Sequence, residues 1–275
     1  MVQGSYQEGK EEGMRPKIGL ALGSGGVRGY AHIGVLKVFE ENGIPIDYVV
    51  GSSMGSIVSV LYANRINLDH LSRLAIYLKK KHLFDYSVPR LGFIKGEKIK
   101  EMVRLLTQRK KLEDLYIPTA VVATDLTRGE RFVFREGPID EAVRASIAIP
   151  GIFEPVQMGD RLLVDGGVIE RVPVPTAREM GADLVIGVDV SHRSVNRRAR
   201  SIFEVIMQTI DIMDREIFMN RASGADLLIR PNVGHFDTTS FERVEEIIQE
   251  GERAAREKIK EIEALIQGWG IKHAH

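Results

Sequence analysis

The chain has 275 residues and no cysteine, which removes disulfides, Cys-ligated zinc and a cysteine nucleophile from consideration. Its 38 Lys and Arg balance 38 Asp and Glu, so the basic excess expected of a nucleic-acid-binding protein is missing. No run of about twenty apolar residues is present to span a bilayer, and the polar, Gly-rich residues 1–16 lack the apolar core of a signal peptide.

These bounds predict a cytoplasmic protein with a flexible N-terminal tail (1–16) and one α/β domain over 17–270. Residues 17–22 form a short apolar run that predicts a strand. It enters Gly23-Ser24-Gly25-Gly26-Val27-Arg28-Gly29. A helix follows, with Ile33, Leu36 and Phe39 on one face and Asn42-Gly43 as its stop signal. Residues 46–50 predict a second strand, which runs into Gly51-Ser52-Ser53-Met54-Gly55, and residues 56–62 then carry a helical pattern. The opening is therefore a parallel crossover unit. Residues 68–81 predict an amphipathic helix with Leu71, Leu74, Ala75 and Leu78 inward. Residues 82–96 are irregular but apolar in places, and two readings stand: a lid or lipid-meeting patch, or a loop packed on the core.

Further along, residues 97–107 predict a helix. Residues 118–124 and 131–135 predict an antiparallel hairpin around Thr127-Arg128-Gly129-Glu130. A helix over 139–147 is stopped by Pro150-Gly151, and a short strand over 162–164 leads to Asp165-Gly166-Gly167. A helix over 173–180, a buried strand over 183–190 and a late strand over 226–230 follow. Helices over 202–221 and 241–267 close the chain, the last read as a surface helix. The alternation predicts a three-layer α/β/α domain with a mainly parallel central sheet.

Chemistry concentrates at three places. Gly51-x-Ser53-x-Gly55 lies between a strand and a helix, the pattern of a nucleophile elbow. Gly51 and Gly55 flank Ser53 where the crowded backbone has no room for a side chain, and the following helix turns its free N–H groups toward the Ser53 hydroxyl. The glycine loop fails the dinucleotide pattern, because Arg28 stands at its last glycine, and it lacks the Lys of a phosphate loop. Beside Ser53 it reads instead as a nest of backbone donors for an oxyanion, with Gly25 and Gly26 as donors and Val27 as a third. Arg28 either steadies that loop or meets a substrate phosphate. For the base, Asp165 ends a strand and is aimed by Gly166 and Gly167. Asp125 and Asp189 also end strands, where turn hydrogen bonding accounts for them. His192 and His235 are the histidines that a Ser-His-Asp arrangement would need downstream. Arg193, Arg197, Arg198 and Arg200 form a basic cluster, read as a solvated loop or a contact for anionic head groups.

The order Gly23–Gly29, Gly51–Gly55, Asp165-Gly166-Gly167, with Ala123-Thr124-Asp125-Leu126 and Ala148-Ile149-Pro150-Gly151-Ile152-Phe153-Glu154-Pro155-Val156 between, resembles the patatin-like phospholipase family over about residues 17–190. The resemblance implies a lipid acyl hydrolase that needs no metal or cofactor, with Ser53 as nucleophile, Asp165 as base and the Gly25–Gly26 amides as oxyanion hole. It implies a lipid or acyl-ester substrate, leaves peripheral contact with a membrane open, and keeps two alternatives: an acyltransferase on the same dyad, or a non-catalytic adaptor that binds acyl chains. Ser24 stands where the family usually has Gly, and Glu170 where it often has Asn.

Overall fold

The computed structural model describes residues 15–86, 91–191, 224–237 and 240–273, together with 205, 206, 208, 209, 212 and 213. Its centre is a mainly parallel sheet. Strand β1 (Ile18–Leu22) pairs in parallel with β2 (Tyr48–Ser52) on one side and β7 (Leu184–Val188) on the other, and β7 pairs with β8 (Leu227–Ile229). Strand β3 (Thr119–Asp125) continues beyond β2, and β4 (Glu130–Phe134) returns antiparallel along it.

Register decides how the last two strands fit. β2 covers β3 from Val49↔Thr119 to Ser52↔Val122. β6 (Arg161–Asp165) covers it from Ala123↔Asp165 to Asp125↔Leu163. β4 overlaps both stretches, from Val121 to Asp125. A strand has two edges, and β4 holds one of them. β2 and β6 therefore share the other, end to end, running from opposite directions to a common junction. The three-residue β5 (Val156–Met158) hairpins onto β6; so short a run carries no period for sequence reading to detect.

Successive strand residues point to opposite faces. Leu20, Leu22, Val49, Val121 and Ile186 enter the larger apolar cluster, while Ala21, Val50, Ala120, Val122 and Val185 enter the smaller one. Helices cover both faces, as a parallel sheet requires. The larger cluster takes α1 (Ala31–Glu41), α2 (Met54–Ala63), α3 (Leu68–Tyr77), α5 (Glu97–Leu106), α6 (Ile139–Ser146) and the final helix α8 (Val244–His273); the smaller takes α7 (Val174–Glu179). No described helix is long and apolar enough to cross a membrane.

The expected helix over 68–81 is instead α3 followed by the single turn α4 (Lys80–Leu83), with Leu78 and Lys79 extended between them. Five residues apart on one continuous helix, Leu78 and Leu83 would point about 140° apart at 3.6 residues per turn. The break lets both line one cavity. In the stretch expected to be irregular, 82–96, Leu83 and Ile94 are buried, Ile94 bridges Tyr86 and Phe153, and the Phe84 ring meets Phe153 edge-on at 6.0 Å. Its described part is packed on the core, while Tyr86, Leu91 and Phe93 remain exposed. The helix expected over 202–221 lies largely outside the described residues.

α8 is more than a surface helix. Its Val244, Ile247, Ile248, Ala255 and Ile262 are buried, and it crosses α1 at two glycines. A Cβ on Gly34 would lie 2.0 Å from the Ile248 carbonyl, and one on Gly251 would lie 2.0 Å from the Ala31 carbonyl. The helix backbones touch, so no rotamer can relieve a larger residue there. Gly251→Leu is expected to lower stability by more than about 3 kcal/mol, read from urea midpoints, whereas Gly268→Ala, which meets open space, should cost nothing. Equal midpoints for the two variants would refute this crossing.

Candidate active site

The site forms at the junction where β2 and β6 meet on β3. β2 ends at Ser52, and the chain reverses through Ser53 into α2. Ser53 adopts φ 54° and ψ −123°, a left-handed conformation that a non-glycine residue keeps only when its surroundings enforce it. They do so here through hydrogen bonds. The Ser53 N–H donates to Ser146 Oγ at 2.9 Å, and that hydroxyl donates onward to the Val122 carbonyl at 2.6 Å. The Ser53 carbonyl accepts from Ser56 N–H and from Ser56 Oγ. The flanking glycines have steric reasons: a Cβ on Gly51 would lie 2.4 Å from the Gly55 carbonyl and the Ser59 hydroxyl, and one on Gly55 would lie 2.1 Å from the Leu22 carbonyl.

β6 brings Asp165 to Ala123, one residue beyond the partner of Ser52. The Ser53 hydroxyl donates to Asp165 Oδ2 at 2.5 Å, and the Gly167 N–H donates to Oδ1 at 2.8 Å. The Asp165 backbone is held on both sides: its N–H donates to the Ala148 carbonyl and its carbonyl accepts from Thr124 Oγ1, each at 2.9 Å. Ser53 and Asp165 are each 5% exposed, so this hydrogen bond forms away from bulk water, where electrostatic interactions are stronger. Gly166 packs where a Cβ would lie 2.2 Å from the Val122 carbonyl and 2.7 Å from Ser52 Oγ.

The glycine loop leaves β1 beside this pair. Gly23 N–H donates to the Val188 carbonyl and Ser24 N–H to the Arg171 carbonyl, while Ser24 Oγ reaches Ser52 Oγ at 2.9 Å. The Ser24 hydroxyl thus ties the loop to the elbow. Gly25 and Gly26 line a small pocket with Ser53, Asp165, Gly167 and Arg171, closed on its other side by Ile149, Pro150 and Val168. Val27 lines a second cavity instead, an apolar one of about 90 Å³ that also opens on Ser53. That cavity follows α2 through Ile57 and Val58 to Leu61, about 12 Å at 1.5 Å per residue. Leu78, Leu83, Met102 and Phe153 contribute to its walls.

Sequence reading missed two residues here. The Arg171 carbonyl buttresses the loop at Ser24, and Arg171 also lines the smaller pocket; nothing in its local pattern signals this. His32, fully buried in α1, holds the loop from behind through Nε2 and the Gly23 carbonyl at 2.8 Å. Burial pushes the imidazole down to about 4, against the opposing pull of the Gly23 carbonyl and of Asp189. His32 is therefore neutral at pH 7, with Nε2 as donor. Between pH 4 and 6.5 the unfolded chain binds a proton at this residue that the folded chain refuses. Stability should therefore fall as pH drops through that window, by up to about 3 kcal/mol. His32→Gln, which keeps a donor for Gly23, is expected to show a shallower loss of Tm between pH 7 and pH 4.5. Parallel losses in the two proteins would count against this assignment.

The other candidates lie elsewhere. Asp125 caps its own turn through Thr127 and Arg128 and meets Arg128 and Arg161 side chains at 3.1 and 2.9 Å. Burial works to raise its carboxyl, but hydrogen bonds from the Arg128 side chain and the Arg128 and Thr127 amides hold it below the usual carboxylate range. Asp189 accepts from Ser191 N–H and Oγ. The His235 ring stacks on Phe236, with centroids 4.0 Å apart, and lines neither cavity at Ser53. His192 and the Arg193–Arg200 cluster lie outside the described residues. Arg28 is 1% exposed, and its guanidinium donates to the Gly234 and Phe236 carbonyls. It steadies the segment behind the loop and lines neither cavity. Glu170 turns to Thr176 and Arg131, while its N–H closes the turn at the Gly166 carbonyl.

Residues 20–178 match the family model described as patatin-like phospholipase. An uncharacterized NTE family protein of Mycobacterium tuberculosis is 42% identical over 179 residues, 64% of this chain and 49% of the relative. The human patatin-like phospholipase domain-containing protein 6 is 36% identical over 181 residues, 63% of this chain and 13% of the relative. The chain thus spans about half the length of the mycobacterial relative and a small part of the human one. Among solved structures, VipD from Legionella pneumophila aligns with a TM-score of 0.66 at 13% identity, covering 88% of this chain and 66% of that one. The ExoU–SpcU complex of Pseudomonas aeruginosa aligns at 0.51 and 15%, covering 92% and 52%. At these identities the likeness is one of fold.

Proposed function

Because the chain belongs to the patatin-like phospholipase family, we propose that it hydrolyses carboxylic esters of lipids, with Ser53 as nucleophile and Asp165 as general base. The observation that carries this reading is the buried 2.5 Å hydrogen bond from Ser53 Oγ to Asp165 Oδ2, with two cavities meeting at Ser53.

The acyl chain lies in the apolar cavity along α2, and the alcohol side of the ester lies in the smaller pocket beside Asp165. Ser53 Oγ attacks the ester carbonyl carbon while its proton passes to Asp165 Oδ2. The carbonyl oxygen becomes an oxyanion, which the Gly25 and Gly26 amides stabilise; one such donor contributes about 2.7–4 kcal/mol to transition-state stabilisation. When the intermediate collapses, the C–O bond to the alcohol breaks and Asp165 returns the proton to the departing oxygen. Water, deprotonated by Asp165, then attacks the acyl-Ser53 carbonyl; as this second intermediate collapses, the C–O bond to Ser53 breaks, Asp165 returns the proton to Oγ, and the fatty acid leaves. Asp165 can serve in both directions because Gly167 N–H and the strand backbone fix its orientation.

A fluorophosphonate probe tests the assignment directly. It should label the full chain once, at Ser53, and block ester hydrolysis in step with labelling. Labelling at another residue, or none, would refute the nucleophile.

A further inference from the structure

Of the thirteen large apolar side chains exposed among the described residues, five fall between residues 76 and 93. Tyr77 is 76% exposed, Tyr86 73%, Leu91 64% and Phe93 48%, with Ile76 beside them. Scattered single apolar residues are ordinary on a protein surface; a concentration of this kind marks a contact face.

Contacts hold the part of this stretch from α4 to the start of α5 together. Tyr86 bridges Ile94, next to Phe93, and its ring meets Phe84 at 6.4 Å. Lys95 N–H donates to the Asp85 carbonyl, and Lys98 Nζ reaches the carbonyls of Lys81 and Phe84, which joins α4 to the start of α5. Lysines surround the aromatic groups: Lys79, Lys80, Lys81, Lys95 and Lys98 are exposed. Against them the described residues of this stretch offer one exposed carboxylate, Glu97, since Asp85 is half-buried and spent on the Gly96 and Glu97 amides. Tyrosine with its polar tip, leucine and phenylalanine as apolar bodies, and lysines with long stems are the composition that settles at a bilayer interface. The positive excess suits a negatively charged leaflet.

We propose that this face, formed by the end of α3, by α4 and by residues 91–98, docks the protein on an anionic lipid bilayer. The inner side of the same elements, through Leu78, Leu83 and Phe84, walls the apolar cavity that opens on Ser53. Docking here sets the cavity wall against the lipid, so an acyl chain passes from bilayer to cavity along apolar surface. That last role rests on the hydrolase reading; the docking itself does not.

The test is sedimentation of the full chain with vesicles of phosphatidylcholine alone and of phosphatidylcholine containing phosphatidylglycerol, with hydrolysis of a soluble short-chain ester measured in parallel. Binding is expected to the anionic vesicles and to weaken as salt is raised. Lys79→Gln, Lys80→Gln and Lys81→Gln together should reduce partitioning by roughly a hundredfold. Tyr86→Ser with Phe93→Ser should reduce it at all salt concentrations. Both variants should keep the soluble activity, because none of these side chains lines either cavity. The proposal is overturned if the unaltered chain sediments with neither vesicle, or if it binds both equally and neither variant is weaker. Should the lysine variant fail to fold, the aromatic pair and the salt dependence of the unaltered chain decide. Loss of soluble ester hydrolysis in the unaltered chain would refute the hydrolase reading and leave the vesicle result readable.

Discussion

Ser53→Ala is expected to reduce hydrolysis of a short-chain aryl ester by at least about 10⁴-fold, measured as kcat/KM. The size follows from what the hydroxyl does in the proposed reaction. Without Oγ no acyl-enzyme forms, and what remains is oxyanion stabilisation and substrate orientation acting on an unactivated water. A factor of 10⁴ corresponds to about 5.4 kcal/mol of transition-state stabilisation at 1.36 kcal/mol per tenfold change. The fold should survive, because the elbow is held by Ser146, Ser56 and the glycine contacts rather than by the hydroxyl. Circular dichroism and the urea midpoint check that point. Undiminished hydrolysis by a folded Ser53→Ala protein would remove the nucleophile and, with it, the proposed reaction.

The second large effect is at the base. Asp165→Asn preserves shape and places an amide where Oδ2 accepts the serine proton. A loss of about 10³-fold or more in kcat is expected, within the span of general-base contributions. His192→Ala and His235→Ala are the informative partners. If Ser53 and Asp165 act as a dyad, both histidine variants should retain full rate. If either histidine variant loses activity while Asp165→Asn keeps it, a Ser-His-Asp arrangement is correct instead. His235 stacks on Phe236 away from both cavities, so it would need a rearranged segment to reach Ser53. His32 is no rival base, since its Nε2 is committed to the Gly23 carbonyl and it lines neither cavity at Ser53.

The two catalytic candidates also explain the glycines around them. Gly51, Gly55 and Gly166 sit where backbone meets backbone at less than van der Waals distance from any added Cβ. Such contacts are the cost of crowding two strand ends and a helix start around one hydroxyl. The strain at Ser53 persists because each neighbour is itself hydrogen-bonded, which is how a sparsely populated conformation is kept in a folded protein.

Much of this was legible from residue order. Alternating strand and helix patterns predicted the parallel α/β architecture, and Gly51-x-Ser53-x-Gly55 predicted the elbow because tight turns demand small flanking residues. Asp165 was singled out by a strand end followed by two glycines. Patterns of this kind are local, so a linear reading captures them. The reading of α8 as a surface helix went only halfway, because Gly34 and Gly251 weaken each helix locally and are favourable only where the two backbones cross. The break at Leu78 and Lys79 was likewise invisible, since the residues that share a cavity with Leu78 and Leu83 include ones from α1, α2, α5 and distant connecting segments. Arg28 could be assigned to loop support only once the Gly234 and Phe236 carbonyls were seen around it.

Sequence alone therefore determined most of the elements, the elbow and the short list of reactive groups, because each depends on neighbours within a few residues. The tertiary structure alone decided how Asp165, the carboxylate that its two glycines single out, comes to meet the serine. Asp125 and Asp165 end strands and Asp189 directly follows one, but β6 alone approaches antiparallel on the edge of β3 that β2 vacates, which sets Asp165 one residue past Ser52. That pairing joins residues more than a hundred positions apart, and it is fixed by strand register, a property of the sheet rather than of any single stretch of chain.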